Sequence, residues 1–371
     1  MTRWLKRIAL TLGLLLVAGF AVLAYALSRD VPCGPPPAVA AGAETIRAVT
    51  RRCYGPPEVL AVERIEKPVP ADDQILVRVR AAAINPLEWH RVRGTPYLMR
   101  LGEGMGAPTN PRLGIDYAGE VVAVGAKVTR FKPGDAIFGG RDGAFAEYVA
   151  AKETGSVTLK PARLSFEQAA GAYVAGVTAL QALRDGGKVR PGQKVLVNGA
   201  SGGVGTFAVQ IAKAMGAEVT AVCSTRNVEL VRSLGADRVI DYTKEDFTQG
   251  DARYDVIMDN VANRPLGEIR RVLAPTGKYL VIGGGGPDAN PWVGAFVAPA
   301  KAWFITHFVD QELKFFLSSG GRDDLVALAQ LMEEGKVTPV VDRTYRLDEI
   351  QDAMRYLETG RARGKVILAM D

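Results

Sequence analysis

The alternation of apolar and polar positions divides the chain into five stretches. From Ile8 to Leu27 the residues are uncharged and apolar, with no polar face. At ~1.5 Å per residue this run covers about 30 Å, the hydrocarbon thickness of a bilayer. It predicts a transmembrane helix within residues 1–28, followed by an extended Pro- and Ala-rich tether over 29–44. From Ile46 short strands alternate with turns. Ile75–Arg80 has a period of two, Ala118–Gly125 and Lys132–Gly139 flank a Pro133-Gly134-Asp135 turn, and Ala144–Val149 is a further candidate strand. Regular strands with glycine turns predict a β-barrel-type domain over 45–162.

Near Ser165 the period becomes helical, with Ser165 and Gln168 spaced as a capping box. Apolar runs at Val195–Val197, Glu218–Cys223, Tyr254–Asp259, Lys278–Ile282 and Lys314–Leu317 then alternate with helical segments. That alternation predicts a doubly wound parallel sheet over 163–317. Helices at Asp323–Glu334 and Ile350–Leu357 and a strand at Gly364–Leu368 fill 318–371. The fold class is α/β: two domains, preceded by one membrane helix.

Composition changes this picture little. Hydrophobic residues are 48% and charged residues 23% of 371, as in an ordinary globular protein. The net charge of +6 comes from scattered basic residues, so no nucleic-acid surface is expected. Cys33, Cys53, Cys223, His90 and His307 are the only cysteines and histidines, and none stands at metal-ligand spacing. Nothing in the spacing favours a Cys33–Cys53 bridge. Arg3, Lys6 and Arg7 precede the apolar run, which favours a cytoplasmic N-terminus and an external globular part. A soluble dinucleotide cofactor favours the opposite side, and the sequence does not decide between them. An uncleaved anchor is the reading adopted. A secretory signal cleaved after Ala24-Tyr25-Ala26 is its rival.

The candidate chemistry centres on Val195 to Lys213. A buried strand runs into Gly199, Ser201, Gly202, Gly203, Val204 and Gly205 and then into a helix with apolar Phe207, Val209 and Ile211. Glycines here let backbone N–H groups approach a pyrophosphate, and the helix N-terminus adds partial positive charge. A carboxylate selecting an unphosphorylated ribose would fall at the end of the second strand. That position reads Cys223-Ser224-Thr225-Arg226-Asn227 instead. Two hydroxyls and a guanidinium suit a 2′-phosphate, so NADPH is the expected cofactor.

Further stretches carry a resemblance. They are Asn85-Pro86-Leu87-Glu88-Trp89-His90, Gly114-Ile115-Asp116-Tyr117-Ala118-Gly119, Val128 to Asp135, Gly143 to Tyr148 and Ala175 to Leu180. With the glycine turn, they resemble, in order from Ile46 to Asp371, the medium-chain dehydrogenase/reductases of the zinc-independent quinone oxidoreductase (zeta-crystallin-like) branch. The resemblance implies a GroES-like catalytic domain, an inserted Rossmann domain and a C-terminal return to the first. Where zinc-dependent members carry a Cys ligand this chain has Asn85, where they carry a His-Glu pair it has Ile115-Asp116, and their remaining Cys falls near Val174. No catalytic or structural zinc is therefore expected.

The resemblance also implies roles. Asn85 would hydrogen-bond the nicotinamide or a substrate oxygen, Tyr97 would line the pocket, and His90 would match a proton-relay position. Thr178, Gly283 and Gly284 would lie along the nicotinamide, and Tyr242 would join Arg226 at the 2′-phosphate. Trp89 and Tyr97 would stack on a flat substrate. The apolar stretch Pro291–Phe308 is read as core or interface packing, with a homodimer left open. The implied activity is hydride transfer to a quinone or an activated C=C in a small lipophilic carbonyl compound. A metal-free alcohol/aldehyde oxidoreductase and a catalytically weak NADPH-binding scaffold are the alternatives.

Overall fold

The computed structural model describes residues 3–36, 38–284, 286 and 289–370. In chain order its elements are helix α1 (Arg3–Ser28), strands β1 (Thr45–Arg51), β2 (Leu60–Glu66) and β3 (Gln74–Ile84), helices α2 (Pro86–Arg93) and α3 (Arg100–Glu103), and strands β4 (Asp116–Val124), β5 (Ala136–Gly140), β6 (Tyr148–Lys152) and β7 (Val157–Leu159). Helices α4 (Phe166–Ala170) and α5 (Tyr173–Gln181) lead to β8 (Lys194–Asn198), α6 (Gly203–Ala214), β9 (Glu218–Cys223), α7 (Val228–Ser233), β10 (Arg238–Asp241) and β11 (Tyr254–Asp259). The chain continues through α8 (Leu266–Val272), β12 (Leu273–Val281), α9 (Gly294–Ile305), β13 (Glu312–Phe315), α10 (Arg322–Glu333), β14 (Val341–Arg346), α11 (Ile350–Glu358) and β15 (Lys365–Ala369).

The second half forms a six-stranded parallel sheet in the order β10-β9-β8-β11-β12-β13. The order reverses between β8 and β11. At such a point neighbouring strands send their crossovers to opposite faces, and a crevice opens beyond the strand ends. The apolar runs seen in the sequence are the buried centres of these strands: Val195, Leu196 and Val197 are fully covered. The first half forms a seven-stranded sheet, β14-β15-β3-β4-β5-β7 with β6 on β3, beside the β1–β2 hairpin. Strand β15 pairs with β3 antiparallel, so the C-terminus does return to the first domain. This is the two-domain α/β architecture expected.

Two local expectations change. The alternation at Ala144–Val149 is not mainly strand, since β6 begins at Tyr148. Ala144, Phe145 and Ala146 are a buried crossing loop, held by Val49 N–H to the Phe145 carbonyl (2.8 Å) and Phe145 N–H to the Leu113 carbonyl (3.0 Å). Its alternation reflects burial without a ladder. The stretch Pro291–Phe308 is not core throughout. Ala302 is buried, but Trp303, Phe304 and Phe308 are more than half exposed. The Phe296 side chain lies outside the described residues.

Helix α1 is apolar over Leu10–Ser28, with a mean hydropathy of 2.3 and almost no burial against the rest of the chain. Its C-terminal end is fixed to the catalytic domain. Leu27 is buried, Val31 N–H donates to the Gly106 carbonyl (3.1 Å), and Arg100 pairs with Asp30 at 2.9 Å. Cys33 and Cys53 form a disulfide, with Cα atoms 4.7 Å apart. This corrects the expectation from spacing. A separation of 20 positions carries no pairing signal, and the bridge exists because the tether folds back over the end of β1.

Candidate functional site

The glycine turn sits at the C-terminal end of β8, beside the switch point. Gly199 has φ +75°, which favours glycine. A Cβ on Gly205 would lie 2.1 Å from the Gly199 carbonyl oxygen, so α6 can start here only with glycine. Gly202 is the N-cap of α6 and no side chain caps it. The first N–H groups of this twelve-residue helix, at Gly203 and Val204, are left for an outside acceptor. Ser201, Gly202, Gly203 and Val204 are half-exposed at the mouth, while Gly205 onward is buried.

The wall opposite is built by residues that sequence reading did not single out. Buried Asp259, at the end of β11, accepts from Asn198 Nδ2 (2.8 Å), Tyr279 Oη (2.9 Å) and the backbone of Val261 and Ala262. Asn260 Nδ2 donates to the Asn198 carbonyl (2.9 Å). These bonds fix the loop after β11 against Gly199. Gly283 lies close to the Asn260 carbonyl, and Gly284 follows with φ +157°. Gly285, within the same run, lies outside the described residues. Thr178 is buried on α5.

At the end of β9, Asn227 is the organising residue. Its Nδ2 donates to Ser201 Oγ (2.8 Å) and Ser224 Oγ (3.2 Å), tying the strand end to the glycine turn. Arg226 is exposed and donates through Nη2 to the Arg361 carbonyl. Tyr242 is exposed beside it at the end of β10. Thr225 is engaged differently from the expectation: its hydroxyl donates to Asp241 Oδ2 (2.6 Å). The Asp241 carboxyl, bonded to Thr225 and Thr243, is held down at about 2. So the carboxylate near this corner comes from β10 and is already engaged, while β9 ends in Cys223. Ser224 is half-buried, and Arg226 and Tyr242 are exposed.

The substrate side begins at Asn85, the N-cap of α2. Asn85 N–H donates to Glu88 Oε2 (2.7 Å). Asn85 Nδ2 donates to Asp116 Oδ2 (3.2 Å), and its Oδ1 accepts from Lys365 Nζ. Asn85 is 2% exposed and its amide is committed within the protein. Asp116 Oδ1 accepts from Val174 N–H (3.1 Å), and Lys365 Nζ stands 3.5 Å from Asp116 Oδ2. Burial, with Asp116 nearby, raises the Glu88 carboxyl to about 7, and burial also raises Asp116.

His90 stacks on Trp89 (centroids 3.6 Å), and its Nδ1 is 2.7 Å from the Thr95 carbonyl. Nδ1 therefore carries the hydrogen, and burial lowers the imidazole pKa, leaving Nε2 as an acceptor. Trp89 is buried, so it packs and does not offer a face to substrate. Tyr97 N–H donates to the Pro291 carbonyl (2.7 Å), and its ring meets Trp292 edge to face.

The residues 71–162 match the alcohol dehydrogenase GroES-like domain, and 234–368 match the zinc-binding dehydrogenase family. A trans-enoyl reductase of Aspergillus terreus is 36% identical over 327 residues, covering 81% of this chain and 87% of that protein. An NADPH-dependent alkenal/one oxidoreductase of Arabidopsis thaliana is 35% identical, covering 85% and 77%. The quinone oxidoreductase structure from Coxiella burnetii superposes with a TM-score of 0.76 at 28% identity, over 88% of this chain and all of that one. The zinc in one family description does not fit the donor set. The positions that would ligate it hold Asn85, Ile115-Asp116 and Val174, and no group of three metal-ligating side chains exists among the described residues. Nicotinamide-dependent oxidoreduction does fit, through the glycine cradle. The chain is an oxidoreductase belonging to the medium-chain dehydrogenase/reductase superfamily, in its zinc-independent quinone oxidoreductase-like branch.

Proposed function

We propose that this chain is an NADPH-dependent reductase of lipophilic enones and quinones, tethered to a membrane by α1. One observation carries the cofactor choice. Strand β9 ends without a carboxylate, and Ser224 and the exposed Arg226 guanidinium stand where a 2′-phosphate needs donors. The N–H groups of Gly203 and Val204 would hold the pyrophosphate. Thr178, Gly283 and Gly284 would border the nicotinamide. The cofactor, when bound, supplies hydride, and this chain's residues orient it against the substrate.

The donor set favours C=C or quinone reduction over alcohol/aldehyde exchange. Alcohol oxidation draws on a Lewis acid to ionise the hydroxyl. No ligand set for one is found among the described residues, whereas a conjugated acceptor needs only hydride delivery and charge stabilisation. A scaffold without turnover is disfavoured by the intact cradle and the ordered cluster around Asn85.

The anchor supports the substrate class. Its C-terminal end packs beside Arg100 and the Tyr97–Met99 turn, so a membrane-inserted α1 would hold the cleft rim near lipid. Exposed Leu98, Leu101 and Met105 border that turn. The exposed ridge of Trp303, Phe304 and Phe308, leading to edge strand β13, is the surface on which a homodimer would form.

The test is NADPH oxidation by the full chain in detergent with quinones, enones and aldehydes, alongside carbonate extraction of membranes. Turnover of conjugated acceptors with NADPH preferred over NADH is expected. Aldehyde turnover alone, or tight NADPH binding without turnover, would overturn the reductase reading. Release by carbonate would overturn the anchor.

A further inference from the structure

The positions that hold zinc in the metal-dependent members converge here on a lysine. Lys365, the first residue of β15, is 3% exposed. Its Nζ donates to Asn85 Oδ1 and lies 3.5 Å from Asp116 Oδ2, and Asp116 is itself bonded to Val174 N–H. So Asn85, Asp116 and Val174, three positions far apart in sequence, meet around one ammonium.

The route of the side chain matters as much as its end. A Cβ placed on Gly203 would come 3.2 Å from Lys365 Cδ, and one on Gly171 would come 3.1 Å from Cγ. Gly202 and Gly364 form a parallel bridge between the glycine turn and the strand's approach. Lys365 therefore runs past the first residue of α6 and ends, buried, between Asn85 and Asp116 of the catalytic domain. A buried lysine is costly unless paired, and here Asp116 supplies the counter-charge. An ammonium has three donors. Asn85 and Asp116 account for two, and no acceptor for the third is found among the described residues.

Resting on the enone/quinone reading above, we propose that Lys365 supplies the fixed positive charge that a metal ion supplies in zinc-dependent relatives. It gathers Asn85 and Asp116, and it stabilises negative charge developing on the substrate's carbonyl oxygen. In enone reduction a new C–H bond forms at the β-carbon as hydride arrives. The C=C π pair shifts to form a double bond between the α-carbon and the carbonyl carbon, the C=O π pair moves to oxygen to give an enolate, and the nicotinamide that gave the hydride is left oxidised. The enolate then takes a proton from water at the α-carbon. A preorganised cation beneath the oxygen lowers the barrier because its orientation precedes the charge.

The decisive variant is the full-length double substitution Lys365→Met/Asp116→Asn, which removes both members of the buried pair without changing the net charge. Kinetics with an enone, NADPH binding by fluorescence and the thermal midpoint are measured together. A kcat lower by about 100-fold, with NADPH affinity and midpoint near wild type, is expected. A kcat within threefold of wild type would overturn the assignment. So would a kcat loss matched by lost NADPH affinity or a lowered midpoint, which marks a structural ion pair. A wild-type chain with no turnover overturns the reductase reading and this assignment with it, whereas an active wild type and an equally active double variant overturn this assignment alone.

Discussion

Tyr97 and Trp292 meet edge to face with ring centroids 4.9 Å apart, one on the catalytic domain and the other on the loop before α9. Beside them Tyr97 N–H donates to the Pro291 carbonyl, and Arg100 lies over the Tyr97 ring at 4.7 Å. The pair joins the catalytic domain to the loop before α9 on the side where α1 is fixed. An aromatic pair of this kind is worth about 0.5–1.5 kcal/mol beyond its buried area. Trp292→Ala should therefore raise KM for a flat quinone by about 2- to 10-fold with little change in kcat. Tyr97→Ala combined with it should add less than its separate effect, as contacting residues do. Steady-state kinetics on the four-member cycle checks both points.

The 2′-phosphate corner gives a cofactor prediction. Arg226 is exposed and its guanidinium donates to a backbone carbonyl, so its loss should leave the fold intact. A charge-assisted hydrogen bond contributes about 1.5–3 kcal/mol. Arg226→Ala should raise KM for NADPH by about 10- to 100-fold and leave KM for NADH nearly unchanged. An equal rise for both cofactors would place Arg226 away from the phosphate.

Much of this corner and of the fold was legible in the sequence. The glycine spacing and the strand runs located the cradle, and β9 and β11 fall where their apolar runs stand. The capping box at Ser165 and Gln168 is formed in both directions, at 3.1 and 3.2 Å. What was not legible is what depends on convergence. Lys365 reads in sequence as one more cation before a closing strand. Its meaning comes from β15 pairing with β3, which carries it to Asn85 from 280 positions away. Asp259 and Asn198 read as strand-end polar residues and become partners only when β8 and β11 lie side by side. Thr225 read as an open hydroxyl because nothing local announces Asp241 on the neighbouring strand.

Glu88 makes stability depend on pH. Its carboxyl is raised from 4.5 to about 7, first by burial and then by Asp116, and lowered in part by the Asn85 N–H and by Lys365. Its Oε1 has no hydrogen-bond partner, as an uncharged carboxyl tolerates better than a carboxylate. A raised folded pKa means the folded state holds the proton longer. The stabilisation is fully present below pH 4.5 and is lost as pH rises through 7. A shift of this size corresponds to about 3 kcal/mol. Glu88→Gln keeps an acceptor for Asn85 N–H and cannot ionise. Denaturant midpoints at pH 5 and pH 8 should differ markedly in the wild type and much less in the variant. Equal pH dependence in both would show that Glu88 titrates normally.

The disulfide predicts a thiol count. Cys33 pairs with Cys53, and Cys223 is free but buried at the end of β9, where burial pushes its thiol up to about 11. A buried, protonated thiol reacts slowly with alkylating reagents. The native full chain should therefore show almost no reactive thiol. Denaturation without reductant should release one, and reduction followed by denaturation should release three. The bridge ties the segment just after α1 to the end of β1, so it fixes α1 to the catalytic domain. Reduction in the folded state should leave the domain's thermal midpoint less affected than the protease sensitivity of residues 29–44. That difference is the signature of a cross-link at the domain's edge, because the cores around β3 and β8 contain neither cysteine. Three alkylated thiols after denaturation without reductant would show that the bridge is not formed in the isolated protein.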